Sequence, residues 1–175
     1  AEPLRLFAFL VGGSHPRATI ELHDIQFAVA RSVEAAYPLL KQRWWGHPAS
    51  LHVDAVAEID VVDGYRISPV PQSEAVSGEL SLFFVNTGGY RPGDFQEHHA
   101  YSFHVGADKR AIWSAAKERA ADMGQLHQDN FDPVDDIVCV DDTLATMRYG
   151  LRIEPADGAP NRIAVTVGYV PLRNM

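Results

Sequence analysis

Cysteine, long apolar runs and positive charge are all scarce in this 175-residue sequence. Cys139 is its one cysteine, which leaves no intramolecular disulfide and predicts a reducing, cytoplasmic location. No apolar run approaches the roughly 20 residues of a membrane-spanning helix, and Ala1-Glu2-Pro3 lack the basic and apolar segments of a secretion signal. The net charge of −8 argues against nucleic acid, which requires clustered Lys and Arg. We therefore expect neither a membrane nor a nucleic acid as partner.

An internal repeat divides the sequence into two related halves. Residues 6–43 align without a gap with residues 82–119, and 12 of these 38 positions are identical. The match predicts a tandem duplication. The shared residues include a glycine pair, an acid and a histidine, which are Gly12, Gly13, Glu21 and His23 in the first half and Gly88, Gly89, Glu97 and His99 in the second.

Each half is predicted to form a β-β-α-β-β unit. In the first half the elements are strands 4–11 and 20–30, a helix capped by Ser32 that runs to about Trp45, and strands 51–62 and 65–70 around an Asp63-Gly64 turn. We assign residues 1–71 to the first repeat, 72–79 to a linker, and 80–175 to the second repeat with an extra strand at 162–170. The expected fold is α+β with mainly antiparallel sheets, its halves related by a pseudo-two-fold axis and packed as one compact unit.

An acid and an imidazole lie two residues apart on the second predicted strand. Side chains at this spacing project from one face, so Glu21 and His23 lie together on a face that is otherwise apolar. His52 and Asp54 have the same spacing on the third strand, and the alignment matches them with His127 and Asp129. Such groups are suited to general acid–base chemistry and to binding zinc, iron or manganese.

The candidate site residues follow from this pattern. The candidate catalytic residues are Glu21, His23, His52 and Asp54, and the candidate metal ligands are His23, His52 and Asp54. The candidate ligand-binding residues lie in or beside the glycine loops and the Glu–His pairs, and are Gly12, Gly13, His15, Arg17, Asp24, Glu97 and His99.

Four segments of the first half resemble a bacterial family of uncharacterised domains, the domain of unknown function numbered 1543. They are residues 9–13 (FLVGG), 20–27 (IELHDIQF), 51–54 (LHVD) and 62–65 (VDGY). Members carry the domain in one or two copies, so the resemblance implies a two-copy protein. It implies no activity. The second half departs from the motif, with Ala100 in place of Asp24 and Asp142-Thr143 in place of the Gly64-Tyr65 turn.

Three functions stay open from the sequence. The first is a small-ligand-binding or regulatory module built on the Glu/His/Asp cluster. The second is an enzyme that uses the cluster, with or without a divalent metal as cofactor, on a small polar substrate. The third is a structural protein in which the cluster braces the glycine loop and Trp45 contributes to a homodimer. The absence of nucleophile, Walker and dinucleotide motifs makes the enzyme the less favoured of these.

Overall fold

A computed structural model describes residues 2–122 and 134–175 of the chain. The fold is α+β, and the chain divides into two compact units. The first unit comprises Ala1–Ala75 and Leu144–Met175, and the second comprises Val76–Thr143. None of the described helices is long and apolar enough to cross a membrane.

The described residues contain nine strands and three α-helices. In chain order these elements are β1 (Arg5–Gly13), β2 (Leu22–Ala30), α1 (Val33–Arg43), β3 (His52–Val62), β4 (Tyr65–Pro71), β5 (Ser81–Gly89), β6 (His98–Gly106), α2 (Lys109–Asp122), β7 (Val134–Cys139), α3 (Val140–Ala145), β8 (Tyr149–Pro155) and β9 (Arg162–Pro171).

The first unit is built on an antiparallel sheet in the order β2-β1-β3-β4-β8, with β9 paired to β3. Helix α1 begins where predicted, because the Ser32 hydroxyl accepts the N–H of Ala35 at 3.1 Å. The helix packs on one face of the sheet, where Tyr37 and Leu40 join Phe7 and Phe9 in a buried core. Since strand side chains alternate between faces, the even-numbered residues of β1 lie on the face opposite the helix.

The predicted Asp63-Gly64 turn joins β3 to β4. Both residues have positive φ, +51° and +80°, as a two-residue hairpin turn requires. Beyond the turn, β4 pairs along its length with β8, and Ile67 lies opposite Ile153.

The two C-terminal strands lie in the first unit, whereas the sequence had assigned them to the second repeat. Strand β8 extends the larger sheet beside β4, and β9 pairs with β3 from His52 to Val61. The residue pattern of a strand predicts its length and the face on which each side chain lies, but not the strand with which it pairs. The pairings of β8 and β9 therefore could not be predicted from residues 149–171 alone.

The second unit has a three-stranded sheet in the order β6-β5-β7, with α2 packed against it. Asp108 caps α2, since its carboxylate accepts the N–H of Ala111. The order β-β-α-β with the first strand in the middle is common to both units, although the duplication itself stays a prediction.

The third strand of the second unit differs from the sequence alignment. The register of β5 with β7 places Val134 opposite Thr87, just as Val53 lies opposite Val11 in the first unit. Val134 therefore corresponds to Val53, and Asp135 rather than Asp129 follows it. The alignment matches His127 and Asp129 with His52 and Asp54, but His127 and Asp129 lie outside the described residues. Asp142-Thr143 belongs to α3 and does not form a hairpin turn.

Candidate functional site

A row of three residues crosses the first sheet at one level. Gly12 on the central strand β1 lies opposite His23 on β2 and opposite His52 on β3. Directly paired residues project from the same face, and here that face is the one opposite α1. The two imidazoles therefore stand on either side of a residue that has no side chain.

Because Gly12 has no side chain, the rings of His23 and His52 can occupy the space above it. A Cβ atom built on Gly12 would lie 2.7 Å from His52 Nε2 and 3.1 Å from His23 Nε2. Real Cβ contacts of 2.7 Å essentially never occur, so any other residue at position 12 would push His52 out of place. Gly12, a glycine of the repeated motif, therefore leaves room for the cluster because it has no side chain.

Asp54 enters the cluster from a β-bulge. The pairing of β3 with β1 passes from Val53 to Ala55 and skips Asp54, and the pairing with β9 shifts at the same place. Bulges re-aim side chains and are common beside functional sites. The Asp54 carboxylate lies 3.1 Å from His23 Nε2 and 3.4 Å from His52 Nε2.

Glu21 closes the cluster on the side of β2. Its two carboxylate oxygens lie 3.0 Å from His52 Nε2 and 3.7 Å from His23 Nε2. Acid and imidazole therefore alternate around a small ring of four side chains: Glu21, His52, Asp54 and His23. The contact between Glu21 and His23 agrees with the prediction that they share a face. Glu21 itself lies just before β2 begins.

His52 is the buried and oriented member of the cluster. Its side chain is only 5% exposed, whereas Glu21 and His23 are about half exposed. Its Nδ1 lies 3.0 Å from the carbonyl oxygen of Ser50. Because a carbonyl can only accept, Nδ1 carries the hydrogen, and in the neutral ring Nε2 presents its lone pair to the cluster. A hydrogen bond of this kind commonly orients histidines that bind metals.

A cleft of about 360 Å³ opens beside His52 and Glu21. One wall is the loop from Gly13 to Glu21, and another is the segment from Ala49 to His52. The third wall comes from β9 and the residues after it, with Tyr169 and Arg173. The Tyr169 ring lies against the His52 ring, with their centroids 4.7 Å apart. Sequence reasoning missed both residues, because it placed β9 in the other half.

The remaining candidates of the first half lie around the cluster and outside it. Gly13 lines the cleft. His15 accepts the N–H of Arg17 at Nδ1 and lies beside Trp45, while Arg17 is exposed, and neither lines the cleft. Asp24 lies on the helix face of the sheet, where it accepts a hydrogen bond from the indole of Trp45 at 3.0 Å.

Asp24 has a structural environment distinct from that of the cluster. The nearby Arg43 guanidinium donates to the carbonyl of Phe27 at 2.6 Å. Burial lowers the pKa of Arg43, and the Asp24 carboxylate raises it in part. Asp24 thus helps to hold the end of α1 and the exposed Trp45 in place.

The second unit keeps the acid–imidazole pair in a different setting. Glu97 lies 3.3 Å from His99 Nε2, and His99 Nδ1 lies 3.1 Å from the amide oxygen of Asn86. His99 lies opposite Gly88, as His23 lies opposite Gly12. Among the described residues, the group of histidines and acids with metal-binding spacing is the one in the first unit.

The cluster has the donor atoms and the spacing of a transition-metal site. One donor atom from each of Glu21, His23 and His52 lies within 4.8 Å of the others. A tetrahedral ion bound at about 2.0–2.1 Å holds its ligand atoms roughly 3.3 Å apart. The four imidazole–carboxylate distances, 3.0 to 3.7 Å, bracket that value.

Comparison with known proteins relates this chain to a sequence family and to a solved structure. The sequence model of the family described as Domain of Unknown Function (DUF1543) matches residues 18–68, which include all four members of the cluster. The crystal structure of protein Il1583 from Idiomarina loihiensis is similar, with 30% identity, a TM-score of 0.70, and coverage of 97% of this chain and 98% of that one. No curated protein matches. Residues 18–68 of the chain belong to the DUF1543 family.

Proposed function

We propose that the first unit is a ligand-binding module that holds one divalent transition metal through Glu21, His23, His52 and Asp54. The single observation that carries this proposal is the ring of two imidazoles and two carboxylates, 3.0 to 3.7 Å apart, above a glycine. The metal would bind a small molecule that enters through the adjacent cleft. Nitrogen and oxygen donors of this kind suit zinc, iron and manganese.

The orientation of His52 favours a metal over simple bracing. In the neutral ring the Nε2 lone pair points toward carboxylate oxygens at 3.0 and 3.4 Å, an arrangement that is repulsive without a cation between them. The bracing alternative instead places a proton on His52 Nε2, and this single N–H donates to one of the two carboxylates, of which Glu21 is the nearer at 3.0 Å. The two alternatives differ in a measurable way, since a brace has no need of a metal.

The partial exposure of the cluster supports a role in binding. Four protein ligands fill a tetrahedral site, so a small molecule would bind the metal as a fifth ligand, to which zinc sites can expand. Glu21 and His23 are about half exposed, and the cleft leads directly to Glu21 and His52. Metal-assisted acid–base chemistry is the second candidate function, because the half-exposed Glu21 has a second carboxylate oxygen that could reach a bound substrate while the first holds the metal.

The proposal includes the predicted duplication and assigns the site to one repeat. Strand order and register agree between the units, and both carry the Glu–His pair. The residue that precedes Val134 in the sequence is Pro133, whereas His52 precedes Val53. We therefore expect one metal ion for each chain and not two.

Metal titration of the chelator-treated protein tests the proposal. The protein is equilibrated with Co²⁺ or Zn²⁺, freed of excess ion, and analysed for bound metal. We expect about one equivalent in the wild type, and at least a tenfold loss of affinity in His23→Ala, since removing one ligand breaks the site. His99→Ala is the matched control, because His99 occupies the same strand position in the second unit.

Two outcomes would overturn the metal centre. The first is less than a tenth of an equivalent of metal in the wild type after titration with each ion. The second is equal loss of metal in His23→Ala and His99→Ala, which would place binding elsewhere. A fall of several degrees in the melting temperature of metal-free His23→Ala, together with no metal binding by the wild type, would support the brace.

A further inference from the structure

The cleft beside the cluster contains a positively charged side chain that the metal proposal does not use. We propose that the ligand of the cleft is a compact anion, a carboxylate or phosphate group of a small molecule, that binds the metal through one oxygen and Arg173 through another. This inference rests on the proposed metal centre and names the ligand class for it. Arg173, Tyr169 and His52 line one continuous space.

The backbone holds Arg173 next to the cluster. Leu172 is fully buried in the core of the first unit, and its N–H donates to the carbonyl oxygen of Leu51 at 3.0 Å. Leu51 immediately precedes His52. The residue before Arg173 is thus fixed to the segment that carries the buried imidazole, and the arginine lines the cleft from that anchor.

The charges of the site favour an anion once a metal is bound. The carboxylates of Glu21 and Asp54 neutralise a divalent cation, and the two imidazoles bind it as neutral rings. Arg173 then remains as a positive charge on the cleft wall. Within the described part of the chain no carboxylate forms an ion pair with Arg173, so its guanidinium is available to an incoming oxyanion, for which its planar fork is well matched.

The remaining cleft wall sets the size and polarity of the ligand. Ser14, Thr19 and Tyr169 add hydroxyl groups to the lining. The Tyr169 ring packs on His52, while the residue as a whole is 67% exposed. A cleft of about 360 Å³ lies at the small end of the range for ligand sites. The lining therefore suits a small polar anion better than a large apolar molecule.

The visible spectrum of the Co²⁺-loaded protein reports both proposals separately. Appearance of the d–d absorption bands on adding Co²⁺ reports the metal centre. A change in those bands on adding an anion reports an oxygen that enters the coordination sphere. Malonate is the carboxylate probe and inorganic phosphate is the phosphate probe. The two titrations show whether the cleft binds a carboxylate group or a phosphate group. We expect saturable binding of at least one of them to the Co²⁺-loaded wild type.

Variants of two arginines test whether the cleft holds the anion. Arg173→Gln is expected to keep Co²⁺ binding while the anion dissociation constant rises at least about tenfold, the effect of removing one charge-assisted contact. Arg152→Gln, an exposed arginine on β8, should bind the anion as the wild type does. A normal Co²⁺ spectrum that neither malonate nor phosphate changes at millimolar concentration would overturn the inference and leave the metal centre intact. Equal anion affinity in Arg173→Gln and the wild type would also overturn it. No Co²⁺ bands at all would overturn both proposals.

Discussion

The two units carry the same acid–imidazole pair but surround it differently. In the first unit, His23 faces a second imidazole across Gly12, and a bulged aspartate joins them. In the second unit, His99 contacts Glu97 and the amide oxygen of Asn86. The position equivalent to Asn86 in the first unit is Leu10, an apolar residue.

This difference shows what a Glu–His pair needs in addition before it can form a binding site. A Glu–His pair on one strand occurs in both units, so the pair alone does not distinguish a binding centre from a local contact. The first unit adds an imidazole from the neighbouring strand β3, and it aims that imidazole through a carbonyl hydrogen bond at Ser50. If the proposed metal site is correct, the third strand decides which unit binds the ion, and the predictions below test that proposal.

The largest effect is expected when the gap between the two imidazoles is filled. Gly12→Ala places a Cβ atom 2.7 Å from His52 Nε2, so the ring must move away from the other three ligands. We expect the Zn²⁺ or Co²⁺ affinity to fall at least about 100-fold, since the His52 ring leaves the position from which it would bind the ion. Gly168→Ala on β9 is the control, because a Cβ there has no atom within 4 Å. Competition titration with a coloured chelator measures both variants, and wild-type affinity in Gly12→Ala would contradict the assigned geometry.

The local parts of this fold could be predicted from the sequence, and the long-range pairings could not. Ser32 identified the start of α1 and Asp63-Gly64 identified the hairpin, because each of these signals acts within a few residues. The partner of β9 depends on contacts with β3, more than 100 residues earlier in the chain. Nothing in the pattern of residues 162–170 specifies that choice.

The same division applies to the candidate site. The two-residue spacings placed Glu21 beside His23 and His52 beside Asp54, while the arrival of both pairs at one point depends on β1 lying between β2 and β3. The bulge at Asp54 has no sequence signal of its own. Asp24 shows the limit of motif-based reasoning, since the motif includes it and the alternation of β2 directs it to the helix face beside Trp45.

Thermal stability provides the second test of the comparison between units. A ligand present at 100 times its dissociation constant stabilises the folded state by about 2.7 kcal/mol, which corresponds to a rise of roughly 5–10 °C in melting temperature for a chain of this size. We expect Zn²⁺ to produce this rise in the wild type and in His99→Ala, and at most about half of it in His23→Ala, whose affinity is at least tenfold lower. Differential scanning calorimetry with and without metal measures the shift. An equal response of the two variants would remove the distinction between the units.

A smaller effect is expected when the cluster loses one charge but keeps its shape. Asp54→Asn replaces one carboxylate by an amide of similar size, so the metal loses an anionic ligand while the bulge keeps its length. We expect the metal affinity to fall roughly tenfold, a loss comparable to that caused by changing a residue that supports a metal ligand, because the amide oxygen can still bind the ion but carries no charge. Asp24→Asn on the same sheet should leave metal affinity unchanged, since Asp24 contacts Trp45 instead. Its effect should appear in the tryptophan fluorescence, and a loss of metal affinity in Asp24→Asn would place that residue in the site after all.

The smallest predicted effect is a change in stability, and it arises at the end of the central strands β1 and β5 that lies away from the Glu–His pairs. In the first unit, pairing of β1 with β3 continues to Leu6 opposite Ile59. In the second unit, pairing of β5 with β7 stops at Phe83, and the N–H of Leu82 donates to the carboxylate of Asp141 at 2.8 Å. Burial raises the pKa of Asp141 above its ordinary value of 3.8, and the hydrogen bond from Leu82 offsets this only in part.

The raised pKa of Asp141 gives a pH dependence of known sign. A carboxyl whose pKa is higher in the folded state contributes stability that is fully present below the unfolded pKa and is lost as the pH rises through the folded pKa. Asp141→Asn keeps an uncharged acceptor for Leu82 at every pH. We therefore expect the variant to be slightly more stable than the wild type at pH 7, with the difference shrinking as the pH falls toward 4. Urea unfolding across this range measures the difference, with Asp136→Asn as the exposed control. A gain in Asp141→Asn that stays constant or grows toward low pH would contradict the assignment, since it would show that the buried carboxyl is not the group that loses its charge.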